Sequence, residues 1–227
     1  HLTSEGYFTY LKEFKGGHSL NAVAGYSYFE KNGENFNAEN YDFGVEGLKY
    51  WDLESGSYLT DGKAKMGSKK DITERLFALY ARANYSYNDK YMVTATIRHE
   101  GSSKFAAENR WGNFWALSGG WRVSGEEFMK EFDWVNDLKI RFGYGVTGNN
   151  DFDASYMANT LSRDQYWMLP SGSWAFVYGP SSNVNPYLGW EEKKEWNIGV
   201  DYSFFGNRMY GKFDYYRRKI DGMIYEV

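Results

Sequence analysis

The sequence has no cysteine and only three prolines in 227 residues. Without cysteine there is no disulfide scaffold and no thiolate metal site. This says little about compartment. With 25 glycines beside so few prolines, the chain is turn-rich but not linker-like. No apolar run approaches the ~20 residues of a membrane helix. No secretory leader opens the chain at HLTSEGYF, so it is either not exported or an internal piece of a longer protein. Charge of one sign is also lacking. The net charge of -4 is too mild to argue for a nucleic-acid partner or an acidic tail. The only histidines are His1, His18 and His99, and none pairs at metal spacing. No Ser–His–Asp arrangement can be argued, and carboxylate pairs are too common to signal glycoside hydrolysis. These absences leave no catalytic, cofactor or metal residue to nominate, and the chain is not expected to be an enzyme.

Aromatics are abundant, at 20% of the chain, with 21 Tyr and 9 Trp. Such usage suits interfacial girdles, sugar platforms or a β-rich wall. Mean hydropathy is -0.68, the value of an ordinary soluble protein. Yet in NYSYNDKYMVTATIRHEGSSKF (84–105), Tyr91, Val93, Ala95 and Ile97 form an apolar row. Met92, Thr94, Thr96, Arg98 and Glu100 form a mostly polar one. Strict alternation is the period of a β-strand. Either a half-buried soluble sheet or a strand between lipid and water would produce it.

About eight strands are predicted, near 6–14, 19–30, 75–87, 91–100, 111–124, 137–147, 193–204 and 208–219. Their links alternate in length. KGG (15–17), NDK (88–90), a link at 125–136 and FGN (205–207) are compact. The stretches 31–74, 101–110 and 148–192 are long. In an up-and-down antiparallel sheet this puts every compact link at one end, as in transmembrane barrels. In the link SGEEFMKEFDWVN, Ser124 and Glu127 have capping-box spacing. Phe128, Phe132 and Val135 recur at helical spacing, which predicts a short amphipathic helix.

The alternation gives each strand a lipid row, such as Phe77, Leu79, Ala81, Ala83, Tyr85 and Tyr87 on one strand. Leu138, Ile140, Phe142, Tyr144 and Val146 form the row of another, with Lys139 and Arg141 opposite. Charges inside the strands are expected on the other parity only, because Arg or Lys facing lipid near midplane costs ~2–4 kcal/mol. Gly120, Gly143, Gly145 and Gly199 share that polar row, which suits a crowded, wet lumen. Tyr85, Tyr87 and Tyr91 around NDK, and Tyr202 and Phe204 before FGN, read as an interfacial girdle.

Four motifs are weighed against simpler readings. GYGVTG (143–148) is literally G-x-G-x-x-G, but a loop, NNDFDASY, follows it. A dinucleotide site needs a helix there, so these glycines are expected to relieve crowding in the wall. Asn149, Asn150, Asp151 and Asp153 are oxygen-rich without the offsets of an EF-hand, so a solvated loop is preferred over a calcium site. The sequon NYS (84–86) lies inside a strand and is discounted. In the loop 148–192, Tyr166, Trp167, Trp174 and Tyr178 lie beside Arg163 and Asp164. Aromatic faces near polar groups hold sugars or peptides, so these four aromatics are candidate contacts for substrate or for a lid. The competing reading is that they pack the loop on itself.

Three longer stretches, with HSLNAVAGYSY (18–28), carry a resemblance. They are TATIRHEGSSKF followed by NRWGNFWALSGGWRVSGEEFM, then DLKIRFGYGVTGNN, then NPYLGWEEKKEWNIGVDYSFFGNRMYGKFDYYRRKIDGMIY. In order and spacing they resemble the barrel of SusC/RagA-like TonB-dependent outer-membrane transporters. The resemblance implies an all-β fold, an antiparallel transmembrane β-barrel wall segment with long extracellular loops. Residues 1–227 would be an internal part of a barrel of ~22 strands, without plug domain, TonB box or signal peptide. It implies import of oligosaccharides or peptides through the outer membrane of a Gram-negative bacterium. Its partners would be a SusD-like surface lipoprotein, TonB through the missing N-terminal part, outer-membrane lipid, and dimers of transporter–lid pairs. It implies no cofactor and no nucleic acid. A passive porin-type barrel and a soluble aromatic-rich carbohydrate-binding β-domain stay open as alternatives.

Overall fold

The computed structural model describes residues 1–44, 47, 51–152, 161–180 and 187–223; for 161–165 and 178–180 it describes the backbone alone. Eight long strands form one sheet. They are β1 (Leu2–Phe14), β2 (His18–Lys31), β5 (Glu74–Tyr87), β6 (Tyr91–Ser102), β7 (Trp111–Arg122), β8 (Val135–Asn149), β11 (Glu191–Phe204) and β12 (Met209–Asp221). The sheet order is β1-β2-β5-β6-β7-β8-β11-β12, with each strand beside its predecessor in the wall. Every predicted strand is present; most run a few residues longer, and β7 ends at Arg122, two residues short of its predicted end. Two hairpins fall in stretches read as loop: β3 (Glu34–Glu39) with β4 (Lys65–Lys70), and β9 (Leu161–Met168) with β10 (Trp174–Pro180). Residues 31–73, which hold the β3–β4 hairpin and a four-residue helix (Ser57–Thr60), form a compact unit of their own.

The compact links share one end and bond to one another. Asn88 N donates to Gly17 O at 2.7 Å, Arg122 N to Lys90 O at 2.7 Å, and Phe205 N to Trp134 O at 2.8 Å. The three-residue NDK turn reverses the chain with Asn88 and Asp89 at φ of 49° and 54° and Lys90 N donating to Tyr87 O at 2.9 Å; positive φ at both central turn residues matches the strand twist. The link between β7 and β8 is not the predicted helix. It is two 3-10 turns, Val123–Gly125 and Glu127–Met129, and neither has a side-chain cap. Ser124 Oγ donates instead to Asp137 Oδ1 at 2.9 Å.

Glu126 explains why the helix gives way. Its carboxylate accepts from the Tyr91 hydroxyl (2.5 Å) and the Trp121 indole N–H (3.1 Å), and Lys90 Nζ lies 3.2 Å away. These anchors on β6, β7 and the NDK turn hold the chain extended at Glu126, with ψ of 153°. The Tyr91 bond first, then Trp121, hold the Glu126 carboxyl below the usual carboxylate range. A depressed folded-state value means that the contribution is present above the unfolded value of ~4.3 and lost as pH falls through the folded one. In the native barrel, hydrogen exchange of residues 123–134, corrected for intrinsic rates, should accelerate only below the ordinary carboxylate range. In Glu126→Ala it should be fast throughout. Identical profiles for the two proteins would dismiss this anchor.

Apart from a shift between Ser203 and Phe204, one register carries across six strands. Tyr85, Val93, Gly119, Phe142, Ile198 and Tyr215 lie side by side in one row of the apolar face. The next row on the polar face is Ser86, Met92, Gly120, Arg141, Gly199 and Asp214. Burial is inverted relative to a soluble sheet. Ile97 is 55% exposed, Phe142 53% and Phe213 66%, while Arg98, Arg141 and Asp201 are half-buried. At ~25 cal/mol per Å2 of apolar surface, leaving this face in water is strongly unfavourable. Contiguous exposed apolar area on this scale marks an interface.

The expectation that charges keep to one parity fails at the long-loop end. Lys194, Arg217 and Lys219 fall on the apolar parity, in the same rows as Trp196 and beyond it. The physical reason is height. An apolar band ~25 Å tall is shorter than these strands, so their outermost residues clear it.

Candidate functional site

Two features of the chain can contact solutes: the polar face of the wall and the hairpin at its long-loop end. On the polar face, Arg141 donates from Nε to Asp201 Oδ2 at 2.8 Å, and its NH2 group reaches Asp201 Oδ1 at 2.8 Å and Asp214 Oδ1 at 2.9 Å. Reaching Asp214 means crossing β11 at Gly199. A Cβ there would sit 2.4 Å from Asp214 Oδ1 and 2.7 Å from the guanidinium, so glycine keeps the passage open. Gly143 likewise lies against Asn197, with 2.4 Å from a would-be Cβ to Oδ1. GYGVTG therefore sits wholly inside β8 as packing glycine, and no nucleotide-binding turn is formed.

Beside this network lies a hollow of about 420 Å3. Its polar lining includes Asn21, Asn84, Thr94, Ser118, Lys139 and Asn197. Amides, hydroxyls and the cations Lys139 and Arg141 can exchange hydrogen bonds with a hydrated solute or with another folded segment. They hold no nucleophile–base pair. Among the described residues no group of three or more His, Asp or Glu is placed to hold a metal ion. Asp153 of the oxygen-rich stretch lies outside the described residues.

At the long-loop end, the predicted loop 148–192 contains the β9–β10 hairpin. Trp174 pairs with Met168, Ala175 with Trp167 and Phe176 with Tyr166. Strand alternation therefore splits the four candidates. Tyr166 and Trp174 share a face with Met168 and Phe176, and Trp167 lies on the other. The Tyr178 side chain lies outside the described residues, as do those of Arg163 and Asp164. The Tyr166 and Phe176 rings pack 4.3 Å apart, yet Trp174 is 65% exposed and Trp167 67%. Self-packing thus accounts for one pair of rings and leaves both tryptophans open. Phe176 and Met168 went unnominated, although their i, i+2 spacing from Trp174 and Tyr166 was a signal for one face.

The residues flanking the excursion that carries this hairpin meet in an aromatic cluster around Phe105. Phe105, 1% exposed, touches Phe152 at 5.2 Å and Trp190 at 4.8 Å between ring centroids. Phe114 meets Trp190 from below at 5.0 Å. Lys104 Nζ donates to Phe152 O at 2.7 Å, Asn109 Nδ2 to Tyr187 O at 3.1 Å, and Trp190 Nε1 to Arg110 O at 3.1 Å. The loop after β6 therefore clamps both ends of the excursion that carries β9 and β10.

An antiparallel wall with an apolar face outside, a charged and amide-rich face inside, and ends of unequal loop length defines a segment of a transmembrane β-barrel. Among the described residues no helix is long and apolar enough to cross a membrane. The family model for the TonB dependent receptor-like β-barrel matches residues 2–227, and the chain belongs to that family. TonB-dependent receptor P39 of Formosa agariphila is 34% identical over 99% of this chain and 21% of its own length. TonB-dependent receptor SusC of Bacteroides thetaiotaomicron is 33% identical over 74% of this chain and 17% of its own length. The structure of the RagAB peptide transporter superposes with a TM-score of 0.84 at 23% identity, covering 99% of this chain and 24% of that one. The chain is similar to SusC/RagA-like members in sequence and fold, and it spans about a fifth of the length of the curated relatives it matches. It is a fragment of an outer-membrane barrel wall.

Proposed function

We propose that this wall segment serves in TonB-dependent import across the outer membrane of a Gram-negative bacterium, carrying oligosaccharides or peptides inward. The observation that carries the reading is the two-faced wall: exposed apolar rows outside and the Arg141–Asp201–Asp214 network inside. Membership of the TonB-dependent receptor family supports the energised form over a passive pore. In the complete protein, a plug domain and TonB box upstream of these residues would gate the lumen, and a SusD-like lipoprotein would close over the long loops. Dimers of such transporter–lid pairs are part of the same proposal. The segment performs no covalent chemistry and needs no cofactor. Tyr166 and Trp174, with Phe176 beside them, contact substrate or lid, and Trp167 and Tyr178 complete the set.

Uptake by the full-length protein tests this. Tyr166→Ala with Trp174→Ala should weaken substrate or lid binding by about 1–3 kcal/mol, the scale of one buried aromatic face. Barrel abundance should not change. Wild-type uptake and lid association in this variant would return the hairpin to self-packing. Uptake that persists after deletion of the TonB box would favour a passive porin.

A further inference from the structure

We propose that the outward face of β11 and β12 carries a binding site for a phosphorylated lipid headgroup of the leaflet on the long-loop side. It is built by Lys194, Arg217 and Lys219 around Trp196. The inference rests on the membrane-facing assignment of these rows. From the compact turn, the outward rows are Phe204 with Met209, Tyr202 with Gly211, Val200 with Phe213 and Ile198 with Tyr215. None of these carries a charge. Trp196 then pairs with Arg217, Lys194 with Lys219, and Glu192 with Asp221. The apolar row becomes a charged one within a single step of the register.

Depth matches this change. Arg217 is eight residues along β12 from Met209. At ~3.4 Å per residue and a tilt of ~40°, that is about 21 Å from the compact end of the band, and Lys219 is about 26 Å. An apolar band of ~25 Å ends at that height, so these cations stand where headgroup phosphates begin. Trp196 marks the same boundary, as interfacial tryptophans do.

Charge complementarity names the occupant. Lys194 Nζ is 3.1 Å from both Glu192 Oε2 and Asp221 Oδ2, and Lys219 Nζ is 2.7 Å from Asp221 Oδ1. Two carboxylates thus hold two lysines in place. Arg217 is in no ion pair among the described residues, and the cluster keeps one positive charge in surplus. A guanidinium at the edge of lipid without a carboxylate is matched by a phosphate, which it can grip with two N–H donors. The compact end of the wall offers no equivalent. Its outward girdle is Tyr87, Tyr91, Trp121 and Phe204, with Lys12 as the cation nearby on β1.

The test uses the full-length transporter in neutral detergent, titrated with diphosphorylated lipid A and with its dephosphorylated form, and read by native mass spectrometry. Arg217→Gln with Lys219→Gln should lower lipid A occupancy at least tenfold and leave the dephosphorylated lipid unaffected. Arg217→Lys should retain part of the affinity. Lys12→Gln, at the opposite end, should change nothing. Unchanged lipid A binding in the double variant overturns the proposal, as does equal loss in Lys12→Gln. Competition by millimolar inorganic phosphate would assign the cluster to free anion and overturn the lipid site. The membrane-facing reading fails separately, if arginine is tolerated within the apolar rows.

Discussion

Arginine in place of Ala95 should stop the barrel from assembling, and arginine in place of its neighbour Thr96 should be tolerated. The two positions differ by one residue and face opposite ways. Ala95 lies in the outward row between Ala83 and Leu117, and Thr96 in the polar row between Arg82 and Ala116. Ala95 is four residues from the compact end of β6, well inside the apolar band. A guanidinium there faces hydrocarbon, at a cost of ~2–4 kcal/mol near midplane. At Thr96 it joins a row that already holds Arg82 on the next strand. The measurement is heat-modifiable migration of the full-length protein from outer membranes. Ala95→Arg should remove most of the folded form, while Thr96→Arg should leave its yield near wild type. Equal damage from both would mean that the faces are misassigned.

The facing of the wall was legible because one parity choice sets every side chain of a strand, and lipid on one face penalises errors at many positions at once. The alternation Tyr91, Val93, Ala95, Ile97 was enough to orient β6. Link lengths then ordered the strands, because neighbours in sequence pair in the wall. Three features were not legible. The hairpins β3–β4 and β9–β10 lie in long stretches without alternating apolar and polar rows; in the second, exposed aromatics fall on both faces, with Trp167 on one and Tyr166 and Phe176 on the other. The helix expected around Phe128 had good local spacing, but Tyr91 and Trp121, five and more residues away in sequence, claim Glu126 and break it. The charges at Lys194, Arg217 and Lys219 broke the parity rule because the rule holds only within the band. Of the site, Trp167 and Trp174 were recognisable as exposed aromatics, but a composition argument cannot separate two faces of a hairpin whose register is not known. Arg141 is 60 residues from Asp201 and 73 from Asp214, and only the register brings them together across Gly199.

Replacing Phe105 with alanine should release the long-loop excursion while leaving the wall intact. Phe105 is the largest fully buried side chain among the described residues, and its ring is the shared contact of Phe152 and Trp190. These two residues are the stems on either side of the β9–β10 hairpin. A buried Phe→Ala change costs about 3–5 kcal/mol, from lost burial and from the cavity it leaves. That cost falls on a local cluster beyond the membrane band, so it should appear as local opening. Lys104 and Trp190 would keep their backbone partners only while the stems stay docked. On intact cells, protease should cut the Phe105→Ala transporter within 150–190 at least tenfold faster than wild type. Heat-modifiable migration of the uncut barrel should be unchanged. Uptake should fall with the Tyr166 and Trp174 contacts, because their platform has lost its footing. Protease resistance at the wild-type level would mean that the cluster does not hold the excursion, and that the hairpin is positioned by other parts of the complete barrel.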